Sequence, residues 1–131
     1  MQSLKLFRTV LFVKNVSVMA RFYRDVLGLS SVADSDDNWQ VYSAGGFEVA
    51  LHQIPKPWCD EIVITDPPTP REESPHKLIF LVDDLVAARD ELIERGAHIM
   101  DNKFLNPSGQ LLRCDFLDPE GNVFQVTSEA G

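Results

Sequence analysis

Cysteine is scarce in this chain: Cys59 and Cys114 are its two, and they fall in unrelated contexts with no CxxC. A disulfide framework is therefore excluded, and free thiols in the cytoplasm are expected. Long apolar runs are missing too, none approaching the ~18 residues that a membrane span requires. The opening Met1-Gln2-Ser3-Leu4-Lys5 is not a basic start followed by an apolar stretch, so no secretory signal is expected. Cations are few, 12 Lys and Arg against 20 Asp and Glu, for a formal charge of −8. Binding to a nucleic-acid backbone or an anionic membrane surface draws on such cations, so neither partner is expected. The chain also has no P-loop, no GxGxxG and no GxSxG, which removes the usual phosphate cradles and the serine-hydrolase elbow. By elimination a small-molecule partner is favoured.

What is present is ample for a core. Of 131 residues, 44% are hydrophobic, enough for one compact domain or two small halves sharing a core. Residues 5–13 read as a strand. Asn15 or Ser17 then caps a helix to Leu27, whose stripe is Met19, Phe22, Tyr23, Val26 and Leu27. Gly28 stops that helix. A short strand at 29–32, a solvated loop at 34–38, and a hairpin of 39–43 with 47–52 around Ala44-Gly45-Gly46 follow. The loop carboxylates Asp34, Asp36 and Asp37 lack the glycine and closing glutamate of a calcium loop.

Six prolines then mark residues 53–75 as an extended connector, with Ile62-Val63-Ile64 its one strand-like run and Cys59 expected to be exposed. Beyond it the pattern recurs. Residues 77–82 read as a strand, Asp84 as a cap, and Leu85, Ala88, Leu92 and Ile93 as a helical stripe before Gly96. Strands at 97–100, 111–117 and 122–127 complete it, with Cys114 a buried hydrophobe. Val13 recurs as Val82, Asn15 as Asp84, and Gly28 as Gly96. The expected architecture is α+β, two tandem βαβββ modules that neither half could stabilise alone.

Thr9-Val10-Leu11-Phe12-Val13 and Phe22-Tyr23-Arg24-Asp25-Val26-Leu27-Gly28-Leu29 resemble the opening of the glyoxalase/bleomycin-resistance/extradiol-dioxygenase superfamily, the vicinal oxygen chelate fold. Val82-Asp83-Asp84-Leu85 and Asp118-Pro119-Glu120-Gly121-Asn122-Val123-Phe124 resemble its second module. The resemblance implies a single domain over residues 1–131, with module one at 4–53, the connector at 53–75 and module two at 76–128. It further implies a cup-shaped, partly closed mixed β-sheet with helices on the convex face, a small molecule in the cup, and a homodimer.

Enzymes of that superfamily hold a divalent metal with His, Gln or Glu on the first and last strands of each module, leaving positions for substrate. The matching positions here are Arg8, Ala50, Lys77 and Gln125. Arginine has no lone pair to give, lysine gives one only when deprotonated, and two cations repel a divalent ion. No metal cofactor is expected. A bulged His76 with Gln125 and Glu48, or an unconventional set of Glu48, His52 and His76, is the alternative. By strand alternation Arg8, Val10 and Phe12 face the cup, with Glu48, Ala50 and His52, then Lys77, Ile79 and Leu81, and finally Val123, Gln125 and Thr127. The ligand-binding candidates are thus Arg8, Phe12, Glu48, His52, Lys77 and Gln125. The favoured function is metal-free binding of an aromatic or anionic small molecule, like the antibiotic-sequestering branch. The alternatives are a metal-dependent lyase, isomerase or dioxygenase, and a dimeric interaction module whose cup is filled. In the rival account of Arg8, it forms a structural ion pair with Glu48.

Overall fold

The computed structural model describes residues 1–32, 35–105 and 108–129, those at 101–104 by backbone alone; Asp34 of the expected solvated loop lies outside the described residues. The chain divides into two compact units, Met1–Val63 and Ile64–Gly131, with the boundary inside the proline-rich connector. Each unit contributes one four-stranded mixed sheet, and each follows the βαβββ order expected of a module.

In the first unit β1 (Arg8–Val13) leads to helix α1 (Val16–Arg21) and a π-helical turn (Phe22–Val26). Strands β2 (Ser30–Ser31), β3 (Trp39–Ala44) and β4 (Phe47–Gln53) follow, and the sheet order is β1-β4-β3-β2. Asn15 caps α1 by accepting from the Val18 amide at 3.2 Å. Gln53 ties the exits of β1 and β4 together. Its Oε1 accepts from the Val16 amide at 2.8 Å and its Nε2 donates to the Lys14 carbonyl at 2.5 Å. The hairpin turn takes φ of 62° at Gly45 and 88° at Gly46, the paired left-handed conformations of a two-residue turn that matches strand twist. Asp36 Oδ1 accepts from the Asn38 amide at 2.8 Å, so that loop is an Asx turn.

Three expectations shift here. The first strand begins at Arg8 rather than residue 5, because its partner β4 turns away at Gly46, just beyond the bond that the Phe7 carbonyl accepts from the Glu48 amide at 3.0 Å. The strand expected at 29–32 shrinks to Ser30–Ser31, and the first helix does not stay α-helical to Leu27. Its last turn widens, with the Leu27 amide donating to the Phe22 carbonyl at 3.0 Å. Phe22 and Tyr23 are both buried as a result, edge to face at 5.6 Å.

The second unit runs β5 (Leu78–Leu81), α2 (Leu85–Glu94), β6 (His98–Leu105), β7 (Leu111–Leu117) and β8 (Val123–Thr127), in sheet order β5-β8-β7-β6. Asp84 caps α2 through the Ala87 amide at 3.0 Å. Phe124 anchors the core, stacked on Phe116 at 5.6 Å and met edge-on by Phe80 at 5.9 Å. Cys114 is buried there as expected. The α2 stripe is thinner than its sequence suggests, since Leu85 is buried while Ile93 lies exposed. β6 continues past residue 100 by accommodating a register irregularity between Ile99 and Lys103.

The connector carries a 3₁₀ turn, Trp58–Glu61, and no strand forms at Ile62-Val63-Ile64. Cys59 is buried rather than exposed, and its carbonyl accepts from Lys14 Nζ at 2.8 Å. The turn brings Cys59 back against the exit of β1 at Lys14. No helix of the described residues is long and apolar enough to cross a membrane.

Candidate functional site

Strand register decides which side chains share a face. β1 runs parallel to β4 with Arg8 opposite Glu48, Val10 opposite Ala50 and Phe12 opposite His52. β3 runs antiparallel to β4 with Trp39 opposite His52 and Val41 opposite Ala50. These residues lie on one side of the sheet, while Val13, Tyr42, Val49 and Leu51 are buried on the side that α1 covers. Burial pushes the Tyr42 hydroxyl pKa up, so it stays neutral in ordinary conditions.

The other side carries a mixed aromatic and ionic surface. Arg8 donates from Nε and Nη2 to the same Glu48 oxygen, at 2.9 and 2.6 Å. The pair is half-buried, with 31% and 18% of the two side chains exposed. The guanidinium carbon lies 4.8 Å from the Phe7 ring centre and 5.6 Å from that of Trp39. Trp39 meets His52 edge-on at 5.7 Å, and His52 meets Phe12 at 5.6 Å. Phe12 is 62% exposed, a large apolar cost unless something covers it. Beyond His52, at the end of the same sheet, a cleft of about 740 Å³ opens between Lys14, Asp37, Gln53 and Lys56. Four candidates, Arg8, Phe12, Glu48 and His52, therefore share one face.

Lys77 and Gln125 belong to the second module. Lys77 Nζ donates to Asp115 Oδ2 at 3.1 Å, and Asp115 is buried in β7 directly opposite Gln125. Gln125 in turn lies opposite Ile79, and Ile79 and Leu81 are exposed on β5.

The positions that the resemblance matches to metal-holding ones offer few donors in either module, each taken by itself. Arg8 is engaged with Glu48, Lys77 with Asp115, and Ala50 offers a buried methyl group, which leaves the Gln125 amide. Two residues of the alternative set are placed as follows: Glu48 is taken by Arg8, and His76 is exposed ahead of a regular β5. Among the described residues no three His, Cys, Asp or Glu side chains are grouped to hold a metal.

The Arg8–Glu48 geometry makes the rival account testable. Arg8→Met strands a half-buried carboxylate and is expected to cost about 1–3 kcal/mol. Glu48→Gln in the same chain is expected to restore most of it. Urea melts of the single and double variants check this; a single-variant loss near zero would contradict the pairing.

Two modules, each with its first and last strands parallel at one edge and its helix over one face, define a vicinal oxygen chelate protein. The chain belongs to the glyoxalase-like domain family, whose model matches residues 8–127. Among curated proteins none matches. Solved structures do. A protein from the mobile metagenome of V. Pseudocholerae is 26% identical over 100% of this chain and 98% of its own, with a TM-score of 0.69. The lactoylglutathione lyase of Agrobacterium tumefaciens is 19% identical over 97% and 95%, with a TM-score of 0.68. A glyoxalase/bleomycin resistance protein/dioxygenase family enzyme from Burkholderia phytofirmans PsJN is 17% identical over 95% and 98%, with a TM-score of 0.69. The last two likenesses concern the fold alone.

Sequence reasoning left the facing of Trp39 open and did not find Asp115. Trp39 is placed by its register with His52, and Asp115 by its register with Gln125.

Proposed function

We propose that this protein binds a small planar aromatic molecule carrying an anionic or phenolic group, and does so without a metal. The observation that carries the reading is the pair of cations at the first-strand positions, Arg8 and Lys77, each ion-paired to a carboxylate of its own sheet. At those two positions a divalent ion would meet side chains that repel it and, while charged, give it no lone pair. The ligand ring stacks on exposed Phe12 and on Trp39, and its anionic group meets Arg8. That guanidinium spends Nε and Nη2 on Glu48, and Nη1 makes no bond among the described residues. Apolar walls with a few convergent polar groups are the usual make-up of a small-ligand site.

Thermal shift against a panel of aromatic carboxylates and phenols tests the reading. A binder at about 100 times its Kd is expected to add about 2.7 kcal/mol of stability. Phe12→Ala is expected to abolish that gain while leaving the unliganded melt nearly unchanged, since Phe12 is largely exposed. A panel with no stabilising aromatic compound, or a gain that survives Phe12→Ala, would overturn it.

A further inference from the structure

The second module has a cleft of its own, about 270 Å³, walled by Arg71, Glu72, Ser74, His76, Lys77 and Asp115 among others. Two of its charges cancel, because Lys77 and Asp115 are bonded to each other. Arg71 is different. Its main chain is fixed, the amide donating to the Gly121 carbonyl at 2.8 Å, and its Cγ would lie 3.7 Å from a Cβ built on Gly121. The side chain is thus held against the turn that joins β7 to β8, and the residue is half-buried. Among the described residues its guanidinium has neither an ion-pair nor a hydrogen-bond partner. Partial burial strips water from a group that keeps its charge at any accessible pH, so an anion is what it lacks. His76 stands in the same wall. Its main chain is bonded to Ser74, the amide donating to Oγ at 3.3 Å and the carbonyl accepting from it at 3.2 Å, while its ring makes no bond among the described residues.

We infer that this cleft is a binding site for a small oxyanion, a carboxylate or phosphate group, gripped by Arg71 with His76 beside it. Arg71 presents the planar fork that carboxylate and phosphate oxygens accept in pairs. The volume falls below the range of about 300–1,000 Å³ that drug-sized ligands fill, which limits the occupant to a single head group. The exposed Glu72 in the wall disfavours a second negative charge. The site lies wholly in module two and does not depend on the module-one reading.

Titration of the full-length protein with acetate and with inorganic phosphate, followed by amide NMR against a chloride control of equal ionic strength, tests it. Saturable shifts are expected at the amides of Arg71, Ser74 and Gly121. Arg71→Met is expected to weaken binding at least about tenfold, the value of one charge-assisted hydrogen bond. Arg71 reaches the turn from an exposed stretch, and the variant's unchanged melt confirms that it folds. Shifts that chloride reproduces, that never saturate, or that persist in Arg71→Met would overturn the assignment. Acetate acting without phosphate, or the reverse, identifies the source while upholding the site.

Discussion

Asp118→Ala is expected to destabilise the protein by at least about 3 kcal/mol. Asp118 has no solvent exposure, and its carboxylate accepts at least three hydrogen bonds. Oδ1 takes the Glu120 amide and the Asn122 amide, each at 3.0 Å, and Oδ2 takes Asn122 Nδ2 at 2.8 Å. The Asp-Pro-Glu-Gly-Asn run is therefore a turn built around one buried anion, closed by the Gly121 amide on the Asp118 carbonyl at 2.9 Å. Each bond to a charged acceptor is worth about 1.5–3 kcal/mol, and alanine leaves main-chain donors buried without partners. Asp118→Asn keeps an oxygen for the two amides but sets a donor against Asn122 Nδ2, so an intermediate loss is expected. Urea denaturation measures both. Near-equal stability of Asp118→Ala and the natural protein would mean the turn is held by something else.

Gly121→Ala is the second large effect, for a different reason. Gly121 sits at φ +85°, and a Cβ there would lie 2.2 Å from the Thr69 carbonyl oxygen and 3.2 Å from its carbon. Those atoms are main chain and cannot rotate out of the way. The left-handed conformation alone costs an L side chain about 1–2 kcal/mol, and overpacking adds about 1–3 kcal/mol. Gly46 gives the control: its φ is +88°, yet nothing lies within 4 Å of its Cβ position. Gly46→Ala is expected to show the conformational cost by itself. Equal losses at the two glycines would contradict the close passage of Thr69.

Local signals made most of the fold legible. Asn15 and Asp84 cap their helices as read, the Gly45-Gly46 turn sets its hairpin, and the strand at 111–117 appears with its ends unmoved. The misses depend on partners distant in sequence. Where β1 starts is decided by where β4 turns, and the burial of Cys59 by Lys14 reaching its carbonyl. The site follows the same division. Alternation along one strand was enough to put Arg8 and Phe12 on a common face. Which carboxylate each cation meets required register between strands, so Arg8–Glu48 was open to sequence reasoning only as an option and Lys77–Asp115 not at all. Arg71 carried no signal, because a lone cation in a proline-rich connector looks like any surface residue until Gly121 is found against it.

The claim that this glyoxalase-like chain works without a metal is tested most directly by elemental analysis. The purified protein is equilibrated with zinc, nickel, manganese or iron salts and dialysed without chelator. With Arg8 and Lys77 at the positions that the resemblance matches to metal ligands, each paired to a carboxylate, the bound metal is expected to fall far below one ion per chain for every salt. Retention of about one ion per chain, lost on changing Gln125 or Glu48, would show a coordination site where this account places none.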